Sequence, residues 1–285
     1  MAVYTPETKK TRRLRLFMAF VVFALLVVFT LSVNLKTNAF KISRIEEFMT
    51  DYDYISCVYD DNVDFAADLY TLNGVSADGI EKVLNYRDFE QVFDAYFGFN
   101  ITSRANYSED SYLEFIDLIT QDFEKDFTLR LDKHEKEYTS EQLKTVVDSF
   151  RNHLIKTVTI DHLSEIKGVT NIGNFASNIS LSVSIFLIAA ALAITYLLGN
   201  KHRRYRSVRA IAIGFISAGI YDIIISIMAV MIFRFKTIDI FPLYLRTQVM
   251  RYVYSFIGSI AVTGGVLLFV SLAFVTLAWK MRKGK

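Results

Sequence analysis

The stretch RAIAIGFISAGIYDIIISIMAVMIFR, residues 209–234, sets one acid, Asp222, among residues that are otherwise apolar or small, with an arginine at each end. A helix rises 1.5 Å per residue, so about 20 residues cross the roughly 30 Å of hydrocarbon in a bilayer, and this run is long enough. An acid in the middle of it is a puzzle only if the segment lies in a membrane. The rest of the chain decides that.

Of the 285 residues, 52% are hydrophobic, which is high for a soluble domain, and 22% are charged, too many for a protein made only of spans. Four apolar runs are long enough to cross: 16–33, 179–198, 210–233 and 253–279. Lys9, Lys10, Arg12, Arg13 and Arg15 precede the first, as in a secretory signal, yet no A-x-A-like cleavage site follows it. A retained signal anchor is expected, and with it four spans.

Lys and Arg collect in the short loops left in the cytoplasm. One cluster precedes span 1, a second is KHRRYRSVR between spans 2 and 3, and a third is the tail after Trp279. All three are cytoplasmic if the chain starts and ends inside; Arg234, Lys236, Arg246 and Arg251 in the loop between spans 3 and 4 run against this and are outnumbered. The expected organisation is a cytoplasmic N-terminus (1–15), span 1 (16–33), an extracytoplasmic domain (34–174), spans 2 to 4 within 175–279 with a cytoplasmic loop 199–209 and an outer loop 234–252, and a cytoplasmic tail (280–285). The fold class is all-α: a four-helix transmembrane bundle with a helical domain inserted between spans 1 and 2. Residues 34–174 hold 27 of the 30 acidic residues and 14 of the 32 Lys and Arg, a net of −13 against +15 for the remainder. Such an acidic domain repels phosphate, which argues against a nucleic-acid partner, and the basic inner clusters need no partner beyond anionic lipid headgroups.

The outer domain has helical periodicity. From Ile80, the residues Val83, Leu84, Phe89, Val92, Phe93 and Tyr96 recur at mostly three- and four-residue spacings, with Gly98 as the stop. A second helix is predicted from Asp110 to about Leu131 with Ser108 as its cap, and a third from Thr139, which has capping-box spacing to Gln142. Residues 40–72 read as helix or irregular. Cys57 is the only cysteine, so no internal disulfide assists.

Few residues point to chemistry. Asp60, Asn62, Asp64 and Asp68 match alternate positions of a calcium loop, but Phe65 replaces its glycine and Thr71 its closing glutamate, so a solvated acidic turn is expected. His162 and Glu165 are one helical turn apart, with no second pair to complete a metal shell, and His153 reads as a surface residue. The sequons at Asn100 and Asn106 matter only in a eukaryotic secretory pathway. No P-loop, dinucleotide fingerprint, GxSxG, HExxH or CxxC occurs, so no enzyme, no metal and no cofactor is expected.

Asp222 carries the remaining interest. Ala210, Gly214, Ala218, Asp222 and Ser226 form a stripe of small residues at four-residue intervals, along which a second helix can approach closely. Counted inward from the cytoplasmic charges, Asp222 shares its depth of about 20 Å with Ile188 and Leu267. Around those levels stand Ala189, Ala190 and Ala191 on span 2 and Thr263, Gly264 and Gly265 on span 4. The polar packing site is thus expected to comprise Asp222, Tyr221, Ser226, Thr263, Gly264 and Gly265, with Thr195 a further hydrogen-bond candidate. No basic residue reaches that depth, and hydrocarbon favours the neutral carboxyl. Hydrogen-bonded glue between spans 2 to 4 is the first reading, a proton or ion path the second.

With an anchor helix, an acidic helical domain, a span ending in KHRRYRS and a closing hairpin, the chain resembles four-span membrane proteins of Gram-positive bacteria, a likeness that implies no function. Its span order is also similar to that of the FtsX and MacB class, in which an outer domain is coupled to a cytoplasmic ATPase; that is an analogy of topology. The expected protein is a non-enzymatic envelope protein of the plasma membrane. Its partners would be the lipid bilayer and another envelope or membrane protein, sensed or bound by the outer domain. The alternative is a transport component, either a permease-like subunit of an ABC-type complex or a small channel or proton-coupled bundle that uses Asp222.

Overall fold

Local sequence sets the helix starts in the middle of the chain. Asp51, Asn85 and Thr139 are extended in backbone and accept the N–H of Asp53, Arg87 and Gln142 through their side chains, each satisfying a donor that the first turn leaves free. At Thr139 the bond is reciprocated: the Gln142 side chain accepts the Thr139 N–H at 3.0 Å, completing the expected capping box.

The structure is a computed structural model and describes residues 9–101, 106–108, 110–133, 138–160, 163–198, 204–235 and 242–283. Among the described residues there are nine α-helices and no strand: α1 (Lys9–Asn34), α2 (Ile42–Met49), α3 (Tyr52–Leu72), α4 (Tyr86–Asn100), α5 (Ser111–Lys133), α6 (Ser140–Val158), α7 (Leu163–Leu197), α8 (Arg204–Phe235) and α9 (Leu243–Lys283). A π-helical turn, Leu35–Ala39, continues α1, and a 3₁₀ turn, Ile80–Lys82, precedes α4. Four helical segments among the described residues are long and apolar enough to cross a membrane: Lys9–Ala39, Lys167–Leu197, Arg204–Arg234 and Leu243–Lys283. The chain divides into two compact units, a span unit (Met1–Lys41, Thr170–Ile238, Arg251–Lys285) and a helical unit (Ile42–Val169, Asp239–Met250).

The helical unit closes one core from α3, α4, α5 and α6. Tyr54, Val58, Ala66 and Tyr70 of α3 meet Phe89, Phe93 and Phe97 of α4, Ile116, Phe123 and Phe127 of α5, and Phe150 and Leu154 of α6, all buried. Phe123 stacks on Phe150 at 4.2 Å and on Phe127 at 5.8 Å, contacts worth about 0.5–1.5 kcal/mol each beyond the area they bury. Arg130 pins the connection after α3: its Nη1 donates to the carbonyls of Ser76 and Asp78, both at 2.8 Å, while its Nε pairs with Asp126 at 2.6 Å. Gly79 in that connection has φ +74°, a left-handed conformation that side chains resist.

Several boundaries differ from the expectations. The helix predicted from Ile80 is two elements, because the Asn85 cap starts α4 afresh; Ile80 and Leu84 are buried as a separate turn, and Gly98 lies inside α4. Ser108 shares its hydroxyl with that of Ser111 at 3.1 Å, and α5 begins at Ser111. Residues 42–72 are almost wholly helical and supply a fourth wall of the core. The acidic turn expected at Asp60 to Asp68 is therefore mid-helix in α3, where successive residues advance by 100° and alternate oxygens diverge rather than converge. Asn62, one of the four, is buried and donates to the Val58 carbonyl at 2.8 Å and the Thr157 hydroxyl at 2.9 Å. Within 234–252, helix begins at Leu243, and the side chains of Tyr244 and Leu245 pack on the core of the helical unit.

In the span unit α1 lies along α8. A Cβ on Gly214 would fall 2.8 Å from Val22 Cγ1 and 3.0 Å from the Ala19 carbonyl, so the small-residue stripe admits the α1 backbone. Ala210, Gly214, Ala218, Asp222 and Ser226 are all buried. The stripe's main neighbour is α1, whereas spans 2 and 4 were expected. Around this pair, Met18, Val22 and Leu26 of α1 pack with Ala191 of α7, Ile211, Phe215 and Ala218 of α8, and Leu267 of α9.

Candidate functional site

A single stripe of α1 changes character half-way. Met18, Val22 and Leu26 are apolar; Thr30, Asn34 and, in the π-turn, Asn38 follow at the same four-residue interval and are polar. Each step of four advances by about 40°, so the six form a stripe that winds slowly around α1. Val22 opposes Gly214 and Thr30 stands beside Asp222, eight residues on along both helices, so α1 and α8 run parallel with constant register. The change from apolar to polar falls at the level of Asp222.

Asp222 is 2% exposed. The Thr30 hydroxyl faces its carboxyl, but the hydroxyl proton is directed to the Val27 carbonyl at 3.0 Å, and Asp222 Oδ2 is buried without a hydrogen-bond partner among the described residues. Leaving such an oxygen unpaired costs about 1–3 kcal/mol, and more if it is charged. Across from it Gly264 of α9 comes very close: a Cβ there would lie 2.8 Å from the Gly219 carbonyl and 3.0 Å from Asp222 Cβ.

The other expected members divide. Ser226 is buried and donates to the Asp222 backbone carbonyl at 2.7 Å, within its own helix. Thr263 accepts from Asn34 Nδ2 at 3.0 Å and so meets α1 rather than Asp222. Tyr221 is 41% exposed and turns edge-on to Phe23 at 5.8 Å. Gly265 is exposed, with nothing near its Cβ position. Thr195 is buried and donates to the Ala191 carbonyl at 2.6 Å; of the three alanines on span 2, Ala191 alone is buried. The structure thus gathers Asp222, Ser226 and Gly264, sets Thr263 against Asn34, and leaves Tyr221 and Gly265 outside.

The residues that sequence reasoning missed are those of α1. Asn34 Nδ2 donates to the Thr30 carbonyl at 2.8 Å as well as to Thr263, Asn38 Nδ2 donates to Ser259 Oγ and Thr37 Oγ1, each at 3.0 Å, and Ser32 pairs with Ser180 of α7 at 2.7 Å. Tyr252 closes the end of the row by donating to the carbonyls of Asn38 and Ala39. Recurrence of Thr30, Asn34 and Asn38 every four residues was a usable signal. Ending span 1 at Val33 hid it, since Asn34 and Asn38 were then assigned to the outer domain.

A second polar cluster lies in the helical unit. The His153 ring stacks on Phe65 at 3.9 Å, and its Nε2 is 3.4 Å from an Asp61 oxygen. Burial pushes His153 below its ordinary pKa, opposed by the Asp61 carboxylate. The Tyr244 hydroxyl faces the same carboxylate, and its ring packs edge-on against Tyr54 at 5.7 Å. Burial, with nearby Tyr96, raises Tyr54 to about 12. Exposed Cys57 is raised too, by desolvation and by Asp60 and Asp53, which keeps it a thiol at neutral pH. His153 is therefore packed, whereas a surface position was expected; His162 lies outside the described residues. No group of three metal-binding side chains occurs among the described residues. No known protein family, curated protein or solved structure matches the chain.

Proposed function

We propose that the chain is a four-span protein of the plasma membrane with both ends in the cytoplasm, and that its helical unit is an extracytoplasmic binding or sensing module whose state is passed to span 4. In this reading the protein is not an enzyme, and the module's partner is another envelope or membrane protein. The observation that carries the reading is the double role of α9: its first turn places Tyr244 and Leu245 against the core of the helical unit, and the same unbroken helix continues as an apolar span to Lys283. In this reading a change in that core is passed along the helix that leaves it. The charge segregation, net −13 on residues 34–174 against basic clusters elsewhere, supports the sidedness.

Placement is tested with a membrane-impermeant maleimide. Cys57 is expected to react on intact cells, and Lys280→Cys, in a Cys57→Ser background, only after permeabilisation; the reverse pattern overturns the topology. The sensing role is tested by affinity purification in mild detergent, comparing the full chain with Tyr244→Ala/Leu245→Ala. A cell-wall or secreted protein retained by both forms supports the module. A co-purifying cytoplasmic ATPase points instead to a transport component, a second reading favoured by the unpaired oxygen of Asp222.

A further inference from the structure

We propose that Asp222 is a proton-exchange site that opens to one side of the membrane only, the side on which α1 ends in the Asn38 turn. The inference rests on the chain spanning a bilayer. Within that frame the asymmetry about Asp222 follows from named residues.

Toward the Asn38 end the neighbours are polar and joined. Thr37 is exposed and bonded to half-buried Asn38; Asn38 contacts Ser259; Asn34, one turn deeper, bonds Thr263 and the Thr30 carbonyl; and the Thr30 hydroxyl faces Asp222. An amide row does not itself relay protons, but a polar lining offers the two to four partners that a transient water needs, which an apolar one cannot. The π-turn adds to this, since such turns loosen the backbone ladder and recur at functional sites. Toward the other end Leu26, Val22 and Met18 of α1, Ala218, Phe215 and Ile211 of α8, Leu267 of α9 and Ala191 of α7 are all buried in contact. The buried Ser271 and Thr195 in that half spend their hydroxyl protons on carbonyls of their own helices. Water entering there would find a dry, filled layer.

No charged side chain competes for the proton. Within residues 16–33 of α1, 168–197 of α7, 210–233 of α8 and 252–279 of α9, Asp222 is the only Asp, Glu, Lys, Arg or His. A proton is the favoured occupant over a metal cation, because one carboxylate without other acidic ligands does not neutralise an ion in hydrocarbon. The unpaired Oδ2 is where the proton arrives and departs.

The test uses the full chain in right-side-out and inside-out vesicles and an apolar carbodiimide. That reagent takes up the proton of a protonated carboxyl on its nitrogen, adds the carboxylate oxygen at its central carbon, and rearranges to a stable N-acylurea that mass spectrometry reads at Asp222. With the pH of each side clamped separately, labelling should fall about tenfold per pH unit once the Asn38 side is made alkaline enough to ionise the group, and change less than about twofold when only the opposite side is varied. Asn34→Leu should abolish the response while leaving the labelling seen at acidic pH, and Asp222→Asn should remove the label. Labelling that follows the opposite side, both sides alike or neither side overturns the proposal. Maleimide labelling of Cys57 in the same vesicles reports orientation independently, so a wrong topology and a wrong access side give different results.

Discussion

The helical unit and the span unit bury opposite kinds of residue. In the first, the large aromatics Tyr54, Tyr70, Phe89, Phe93, Phe97, Phe123, Phe127 and Phe150 are inside and the carboxylates are mostly outside. In the second, Phe186 and Phe269 are 74% and 77% exposed, while Thr30, Ser32, Asn34, Thr195, Asp222 and Ser226 are buried. The same chain obeys two solvents. Water drives apolar area inward at about 25 cal/mol per Å², whereas lipid leaves apolar side chains indifferent to where they sit and presses backbones and polar groups together instead.

The contrast can be broken most sharply at matched phenylalanines. Phe123→Ala, in the stacked core, should cost about 3–5 kcal/mol, read as a lowered denaturation midpoint of the full chain in detergent. Phe269→Ala should change that midpoint by less than about 0.5 kcal/mol. Equal losses would mean that the exposed face is covered by protein.

Neighbouring glycines sharpen the same comparison inside the span unit. Gly264→Ala pushes a Cβ to 2.8 Å from the Gly219 carbonyl, a backbone atom that cannot yield, and should cost about 1–3 kcal/mol in a detergent thermal melt. Gly265→Ala meets nothing and should leave the melt unchanged or raise it. Indifference to both substitutions would show that close α8–α9 packing is not what holds the spans.

Back in the helical unit, Thr139→Ala removes the capping box of α6 and should cost about 1 kcal/mol by denaturant titration, while Thr139→Asn should keep most of it.

The smallest expected effect is a pH dependence. His153 has a folded-state pKa lowered from 6.5, first by burial, so the unfolded chain binds a proton more readily than the folded one. Its contribution is complete above 6.5 and is lost as pH falls below that value toward the lowered one. The midpoint of the helical unit should therefore drop on mild acidification, by less in His153→Gln than in the native chain, and a drop of the same size in both would assign it to other groups.

Much of this was legible in the sequence. Four apolar runs, the α6 capping box, the helical faces of α4 to α6 and the buried stripe of α8 follow from chain-local rules: length against hydrocarbon thickness, cap chemistry, and side chains returning to one face every three or four residues. The helical state of 42–72 was not, although Tyr54, Val58, Ala66 and Tyr70 stand at multiples of four residues, because Asp60, Asp61, Asp64 and Asp68 among them read as an acidic turn and one position of the buried face is the polar Asn62. Nor did the sequence say which helix lies against Asp222. A stripe of small residues permits close approach without naming the partner. That choice was made in three dimensions, where α1 offered a stripe turning from Leu26 to Thr30 at the right height and Thr263 took Asn34 instead. Periodicity is a property of one helix, whereas a buried carboxyl's neighbours depend on register between helices distant in the chain, and only tertiary packing sets that register.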